Sequence, residues 1–338
     1  MNGDMNRRSF LALGAGGLVA AAMADAAGVR PKSPALSLSG PLAAPTSPLL
    51  KTVTFTQLEL PVGASRSFKA IHCSDSHLNF MNITDLLAAE TVDDLRMYES
   101  LRVKHNALAP FAACVLKARL ENVPLLHTGD VWSFHSSVNR AMARDAFSRV
   151  GEVFYAIGNH ELSGHWNAAP GFDPQKVRAE VAADLPNDTR FAAWTKNGVK
   201  FVSFDDTPDG KPFLSEQAAF LRRELADGLP TVLLCHFPFC TEETVADLVA
   251  QKGPFAAMAE RRRKMGKKPL VKKNIPGLLF GQRGPEKELV DWLLAQPNLK
   301  AILCGHLHAE ARYRLNDHVT EFIAGATMNG HASEIEFV

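Results

Sequence analysis

Six short apolar runs punctuate the chain after residue 52, at 66–73, 123–127, 153–157, 199–204, 231–235 and 300–304. Each is rich in aliphatic or β-branched side chains and bounded by polar loops, the pattern of a strand buried on both faces. Between them the period changes, and 85–120, 215–225 and 286–294 repeat their apolar residues at helical spacing. Ser215 stands where an N-cap belongs, ahead of Phe220 and Leu221, and Gly281, Gly284 and Pro285 lead into the last of these helices. Residues 320–324 and 333–338 return to strand-like runs. Strands alternating with helices predict an α/β domain. One segment, 253–284, breaks the pattern and carries Arg261, Arg262, Arg263, Lys264, Lys267, Lys268, Lys272 and Lys273.

The first 50 residues are different. Arg7 and Arg8 directly precede a mildly apolar stretch, 10–24, diluted by Gly14, Gly16 and Gly17, and Ala24-Asp25-Ala26 offers small residues for cleavage. This leader resembles a twin-arginine export signal. The expected organisation is a signal peptide at 1–26, a Pro/Ser/Ala-rich linker at 27–50 and a folded domain at 51–338. Met5 lies closer to the arginines than Met1 and is an alternative start. The resemblance implies the twin-arginine export machinery as a partner and folding before export. It further implies a periplasmic or secreted product with no membrane anchor after cleavage.

Composition narrows the classes further. At 46% hydrophobic and 22% charged residues the chain has globular composition, which excludes wholesale disorder and a collagen-like fibre. Lys+Arg 37 against Asp+Glu 36 gives a net charge of +1, so a nucleic-acid binder relying on bulk charge is not expected. Removing residues 1–26 takes away Arg7, Arg8, Asp4 and Asp25 together and leaves that balance unchanged. Five thinly spread cysteines do not make a disulfide scaffold, and Cys73, Cys235 and Cys304, each closing an apolar run, read as buried small hydrophobes.

The chemistry gathers where the runs end. After the first comes Asp75-Ser76-His77, after the second Gly129-Asp130, and after the third Gly158-Asn159-His160-Glu161. His236 follows the fifth run, and Gly305-His306-Leu307-His308 the sixth. Singly, each motif is weak: Gly-Asp is a common turn, and a strand histidine is usually a satisfied core residue. The conjunction carries the weight, because open α/β sheets place their sites at the carboxyl ends of strands. In extended backbone, residues i and i+2 point to one side, so Asp75 and His77 can grip one ion, and His306 and His308 can face the same cavity. Two carboxylates, four imidazoles and an amide suit Mn, Fe or Zn rather than Ca or Mg, and two divalent ions would leave the centre at about +2, fit for phosphate and for ionising water.

These motifs, in this order and spacing, resemble the calcineurin-like metallophosphoesterase superfamily from Phe68 to the C-terminus. The resemblance implies a β-sandwich of two mixed sheets flanked by helices, a four-layer α/β/β/α fold. It implies a dinuclear centre in which Asp75, His77 and His308 bind one metal, Asn159, His236 and His306 bind the second, and Asp130 bridges them. His160 would contact the phosphate and protonate the leaving group, while a metal-bridging hydroxide attacks phosphorus in line. Ser133 stands where some relatives carry Tyr, Asp or Asn, so the tyrosine-ligated purple acid phosphatase type is not expected.

Around these motifs, Asn79, Trp132, His135 and His165, with Phe134 and Trp166, are candidates to line a substrate pocket. Trp132 and Phe134 can equally close the core. Glu161 reads as a carboxylate supporting the ligands rather than as a ligand. The basic residues 261–273 form either a lid that recruits anionic substrate or a solvated loop. The expected function is an exported phosphoesterase acting on a small anionic phosphomonoester or phosphodiester. A cyclic-nucleotide or glycerophosphodiester-type phosphodiesterase is an alternative, as is a metal-holding binding protein without turnover.

Overall fold

A strand with apolar side chains on both faces needs cover on both faces, and the computed structural model supplies it by stacking two sheets between helices. The structure describes residues 47–83, 107–162, 174–264, 275 and 277–338. The expected leader, the linker up to residue 46, residue 84, positions 85–106 of the first expected helix, His165, Trp166 and residues 265–274 lie outside the described residues.

The first sheet contains β1 (Thr54–Leu60), β2 (Phe68–Cys73), β3 (Leu125–His127), β4 (Val153–Tyr155) and β11 (His331–Phe337), in the order β1-β11-β2-β3-β4. The second contains β5 (Phe191–Lys196), β6 (Val199–Phe204), β7 (Thr231–Leu234), β8 (Leu299–Cys304), β9 (Ala311–Arg314) and β10 (Thr320–Ile323), in the order β5-β6-β7-β8-β10-β9. β2, β3 and β4 run parallel, as do β6, β7, β8 and β10. β11 pairs parallel with β1 and antiparallel with β2, while β5 and β9 are antiparallel edges, so both sheets are mixed.

Side-chain alternation assigns each strand residue to one of three apolar layers. Ala70, Leu126, Phe201, Val232, Leu234, Leu303, Ile335 and Phe337 fill the space between the sheets. Fully burying each of the larger of these contributes roughly 1.5–3 kcal/mol. On the outer face of the first sheet, Ile71, Cys73 and Leu125 meet α1 (Leu108–Glu121), α2 (Ser137–Ser148) and α3 (Pro174–Val181) through Phe111, Cys114, Phe147 and Val181. On the outer face of the second, Leu233, Ile302 and Cys304 meet α4 (Leu214–Leu225), α5 (Glu242–Ala250) and α7 (Gly284–Leu294) through Leu221, Leu248 and Leu293. The result is the four-layer α/β/β/α arrangement. α6 (Ala256–Lys264) precedes α7 and opens the basic run, with Arg263 and Lys264 exposed and paired to Glu260. Among the described residues no helix is long and apolar enough to cross a membrane.

Some local expectations need correction. Ser215 is not an N-cap: α4 starts one residue earlier with Phe213 at the cap, because a 3-10 turn over Pro208–Phe213 runs directly into it. β1, β5 and β9 escape the apolar-run pattern because one face of each is solvated, as Ala-Arg-Tyr-Arg in β9 shows. The cysteines at 73, 235 and 304 are fully buried free thiols, as their apolar settings imply.

Glu321, on β10, is the anomaly of the second core. It is fully buried, and its Oε1 accepts only the Phe239 N–H, at 2.8 Å. Burial, helped by Asp206, pushes its carboxyl up to about 8, against the opposing Phe239 hydrogen bond. The folded protein therefore keeps this proton where the unfolded chain, ionising near the ordinary value of 4.5, has lost it. Its stabilising contribution is full below about pH 4.5 and falls steadily to about pH 8, by on the order of a few kcal/mol. Glu321→Gln, which cannot ionise, is expected to flatten that slope between pH 5 and 8 in urea unfolding. An unchanged slope would exclude Glu321 as its source.

Candidate metal centre

Parallel strands bring their carboxyl ends to one edge of each sheet, and there the chain turns back sharply. The turn after β2 carries Asp75 and His77, that after β3 Asp130, and that after β4 Asn159 and His160. From the second sheet come His236 after β7 and His306 and His308 after β8. The backbone here is left-handed rather than extended: φ is +53° at Asp75, +47° at His77, +57° at Asp130, +67° at His306 and +54° at His308. The extended-strand argument for pairing Asp75 with His77 is thereby corrected, since tight turns rather than pleats aim these side chains. Such backbone costs roughly 1–3 kcal/mol per residue and persists only where its surroundings fix it. Here the fixing bonds are Asp75 N–H to Gly129 O at 3.0 Å, His77 N–H to Asp130 O at 2.9 Å and His306 N–H to Asp75 Oδ2 at 3.0 Å.

Two glycines are required by close approach. A Cβ on Gly158 would lie 2.2 Å from Asp130 Oδ1, and one on Gly305 would lie 1.9 Å from Ser74 Oγ and 2.5 Å from Asp75 Oδ2. Gly305→Ala is therefore expected to displace Asp75 and cost the protein an ion, read as metal per chain by atomic emission. Wild-type content would show that the turn relaxes without moving the carboxylate.

The side chains converge in three overlapping groups, each with ligand atoms within 4.8 Å of one another: Asp75, His77 and His308; His77, Asp130 and His160; and Asp130, His236 and His306. His308 Nε2 lies 3.0 Å from His77 Nε2 and 3.1 Å from Asp75 Oδ1. Asp130 Oδ2 lies 3.2 Å from His236 Nε2 and 3.6 Å from His77 Nε2. His236 donates its Nδ1–H to Thr128 O at 2.7 Å, which leaves the Nε2 lone pair for the cavity. His160 likewise donates Nδ1–H to Ser133 O at 2.6 Å, turning Nε2 to within 4.0 Å of Asp130 Oδ2. Its side chain is 38% exposed, against 0% for His236 and 8% for His77, so it stands on the open side of the cluster.

The electrostatics suit cations. Burial pushes His306 down to about 3 and His77 well below its ordinary value, so both are neutral imidazoles with lone pairs to give. Burial also opposes charge on His236, yet Asp130 and Asp75 raise it to about 10. That field calls for positive charge at this spot. Burial opposes ionisation of Asp130 too, and the neighbouring His236 and His160 nevertheless hold it well below the carboxylate range. His306 Nε2 is buried without a hydrogen-bond partner, and His236 Nε2 faces Asp130 Oδ2 at 3.2 Å without hydrogen-bond geometry, which is costly for a ring nitrogen unless an ion takes the lone pair. The donor set and these two atoms fit transition-metal ions.

The surrounding residues hold this arrangement in place. Glu161 is fully buried and accepts the N–H groups of Val131 at 2.6 Å, Asp130 at 2.9 Å and Gly158 at 2.7 Å, tying the turns after β3 and β4 together. Burial and the nearby Asp130 raise its carboxyl to about 7. Ser133 Oγ lies 3.3 Å from His77 Nδ1, a contact the sequence pattern does not reveal. Trp132 has no exposed surface and donates to Glu161 O at 3.4 Å, so it packs in the core and presents no face to a ligand. Phe134 and Asn79 are also buried. His135 turns toward Arg140 and Glu180, at 3.3 and 3.6 Å. Asp205 and Asp206 follow β6, and Asp206 accepts the N–H groups of His236 and Phe237. Their signal is the one that found the other turns, acidic residues at the end of an apolar run.

Among solved structures, the chain is similar to a dimetal phosphatase from Danio rerio, with 12% identity, TM-score 0.43, and 78% of this chain and 88% of that one covered. It is also similar to a phosphopantetheinyl hydrolase from Mycobacterium tuberculosis, with 15% identity, TM-score 0.42, and 77% and 90% covered. No curated protein sequence matches significantly. The model of the calcineurin-like phosphoesterase family matches residues 68–310, a span that begins with β2 and takes in every turn of the cluster. With more than half of the sequence matched, the chain belongs to the calcineurin-like phosphoesterases and is a metal-dependent hydrolase of phosphoester bonds.

Proposed function

We propose that the protein is an exported phosphoesterase that works with two transition-metal ions, Mn, Fe or Zn, and hydrolyses a small phosphomonoester or phosphodiester. The observation that carries this is the sharing of Asp130 between two ligand groups, one with His77 and His160 and the other with His236 and His306, while His77 also belongs to the group of Asp75 and His308. Asp75, His77 and His308 would hold one ion, Asn159, His236 and His306 the other, and Asp130 both. When bound, such ions supply Lewis acidity toward phosphoryl oxygens and lower the pKa of water. The chain contributes the geometry. Glu161 keeps the Asp130 and Asn159 turns in register, Thr128 O fixes the His236 tautomer, and Ser133 O fixes that of His160. His160, at the open side, would act in its imidazolium form, with Nδ1–H held by Ser133 O while the Nε2 proton passes to the departing oxygen and leaves a neutral ring.

Export rests on the leader. Paired Arg7 and Arg8, a weakly apolar stretch and a small-residue cleavage site support passage through the twin-arginine machinery to the periplasm or beyond the cell. The free buried thiols are consistent with folding before export, since no disulfide among the described cysteines is needed. The test of function is hydrolysis of bis-p-nitrophenyl phosphate against p-nitrophenyl phosphate by the protein loaded with Mn²⁺. Turnover of either supports the reading, and the preference separates diester from monoester activity. Two bound ions with no turnover of either ester would overturn it.

A further inference from the structure

The turn after β6 contains a buried carboxylate that the mechanism above does not use. Asp206 is 4% exposed, and each of its oxygens accepts one backbone N–H from the turn after β7. Oδ1 takes that of His236 at 3.1 Å and Oδ2 that of Phe237 at 2.9 Å. The first bond holds His236 at its own backbone. The second holds Phe237, whose ring stacks on the imidazole of His306 with centroids 3.9 Å apart and planes 30° from parallel. One carboxylate thus governs two imidazoles that come from different strands and close on Asp130 in one ligand group.

The residue before Asp206 is held firmly. The neighbouring Asp205 accepts Arg178 Nη2–H at 2.5 Å and Thr207 N–H at 2.9 Å. Gln217 accepts Asp205 N–H at 2.8 Å and donates back to Asp205 O at 3.0 Å. Arg178 and Gln217 are both buried, at 6% and 0% exposure, so the carboxylate stands on a fixed platform. Only a carboxylate meets the demand at position 206. Two converging N–H donors need two acceptor oxygens, and an amide would turn its NH₂ against one of them.

We infer that Asp206 is the positioning residue of the second metal subsite, setting the spacing of the His236 and His306 ligand nitrogens before an ion arrives. The inference rests on the two-ion reading above. Its test is calorimetric titration of the full chain, stripped of metal by a chelator, with Mn²⁺. The wild type is expected to take up two ions. Asp206→Asn is expected to keep the affinity of one and to weaken the other about 10–100-fold, the usual effect of losing a group that orients a ligand. A purely structural role would instead lower the unfolding temperature of the metal-free protein and leave the two affinities in their wild-type ratio. Phe237→Leu, which keeps the carboxylate and both hydrogen bonds but removes the stack on His306, is expected to weaken the same ion. It carries the test if Asp206→Asn does not fold. Folded variants that bind both ions as the wild type does would overturn the inference. A wild type that binds fewer than two would overturn the two-ion reading instead.

Discussion

Asp130→Ala is expected to abolish metal uptake in both halves of the centre and to reduce phosphoester hydrolysis by at least about 10³-fold, the scale of losing the groups that stabilise transition-state charge. Asp130 Oδ2 lies 3.2 Å from His236 Nε2 and 3.6 Å from His77 Nε2, so no other carboxylate in the cluster is placed to serve both groups. Its Oδ1 accepts the His160 N–H at 2.9 Å, so truncation also releases the turn after β4. Asp130→Asn separates the two contributions, because the amide oxygen keeps the bond from His160 while the charge is gone. Metal analysis after dialysis reads the outcome. Two ions retained in the alanine variant would remove Asp130 from its central role.

His160→Ala is expected to behave in the opposite way, keeping both ions and losing turnover. The loss depends on the leaving group. General acid catalysis contributes about 10²–10⁴-fold where the departing oxygen needs a proton. An alkyl phosphate, whose alkoxide is strongly basic, should suffer that full loss. p-Nitrophenolate departs readily without a proton, so its ester should suffer far less. Comparing kcat for the two esters in the wild type and the variant isolates the proton transfer from any effect on binding. An equal loss with both would reassign His160 from proton donor to phosphate contact, a role its 38% exposure also allows.

The sequence reveals the centre more fully than the scaffold around it, for physical reasons. Strands buried on both faces leave continuous apolar runs, and β2, β3, β6, β7 and β8 all do so. Their ends are marked by the residues that bind. Edge strands such as β5 and β9 leave no run because solvent takes one face. Spacing alone does not give the direction of Asp75 and His77: they are two apart in sequence, but left-handed turns place them rather than a pleat. Trp132 looks like a pocket residue beside Asp130, and only the packing of α1 and α2 over the first sheet shows that it is sealed inside. Asp206 carries the mark of a strand end but belongs to none of the three ligand groups. Its importance lies in two backbone hydrogen bonds that no residue pattern encodes.

The place of β11 has a consequence for how the molecule assembles. Residues 331–337 lie between β1 and β2, pairing Thr54 with His331 on one side and Phe68 with Phe337 on the other. Neither ladder can grow outward from a hairpin, because each joins segments more than 250 residues apart. Closing loops of that length is entropically costly before any contact offsets it, and such high contact order slows folding. β2, β3 and β4 can pair earlier, but β1 and the second edge of β2 must wait, unpaired, until residues 331–337 have left the ribosome. A chain stalled before residue 331 would present two adhesive edges where the finished protein has an unbroken ladder.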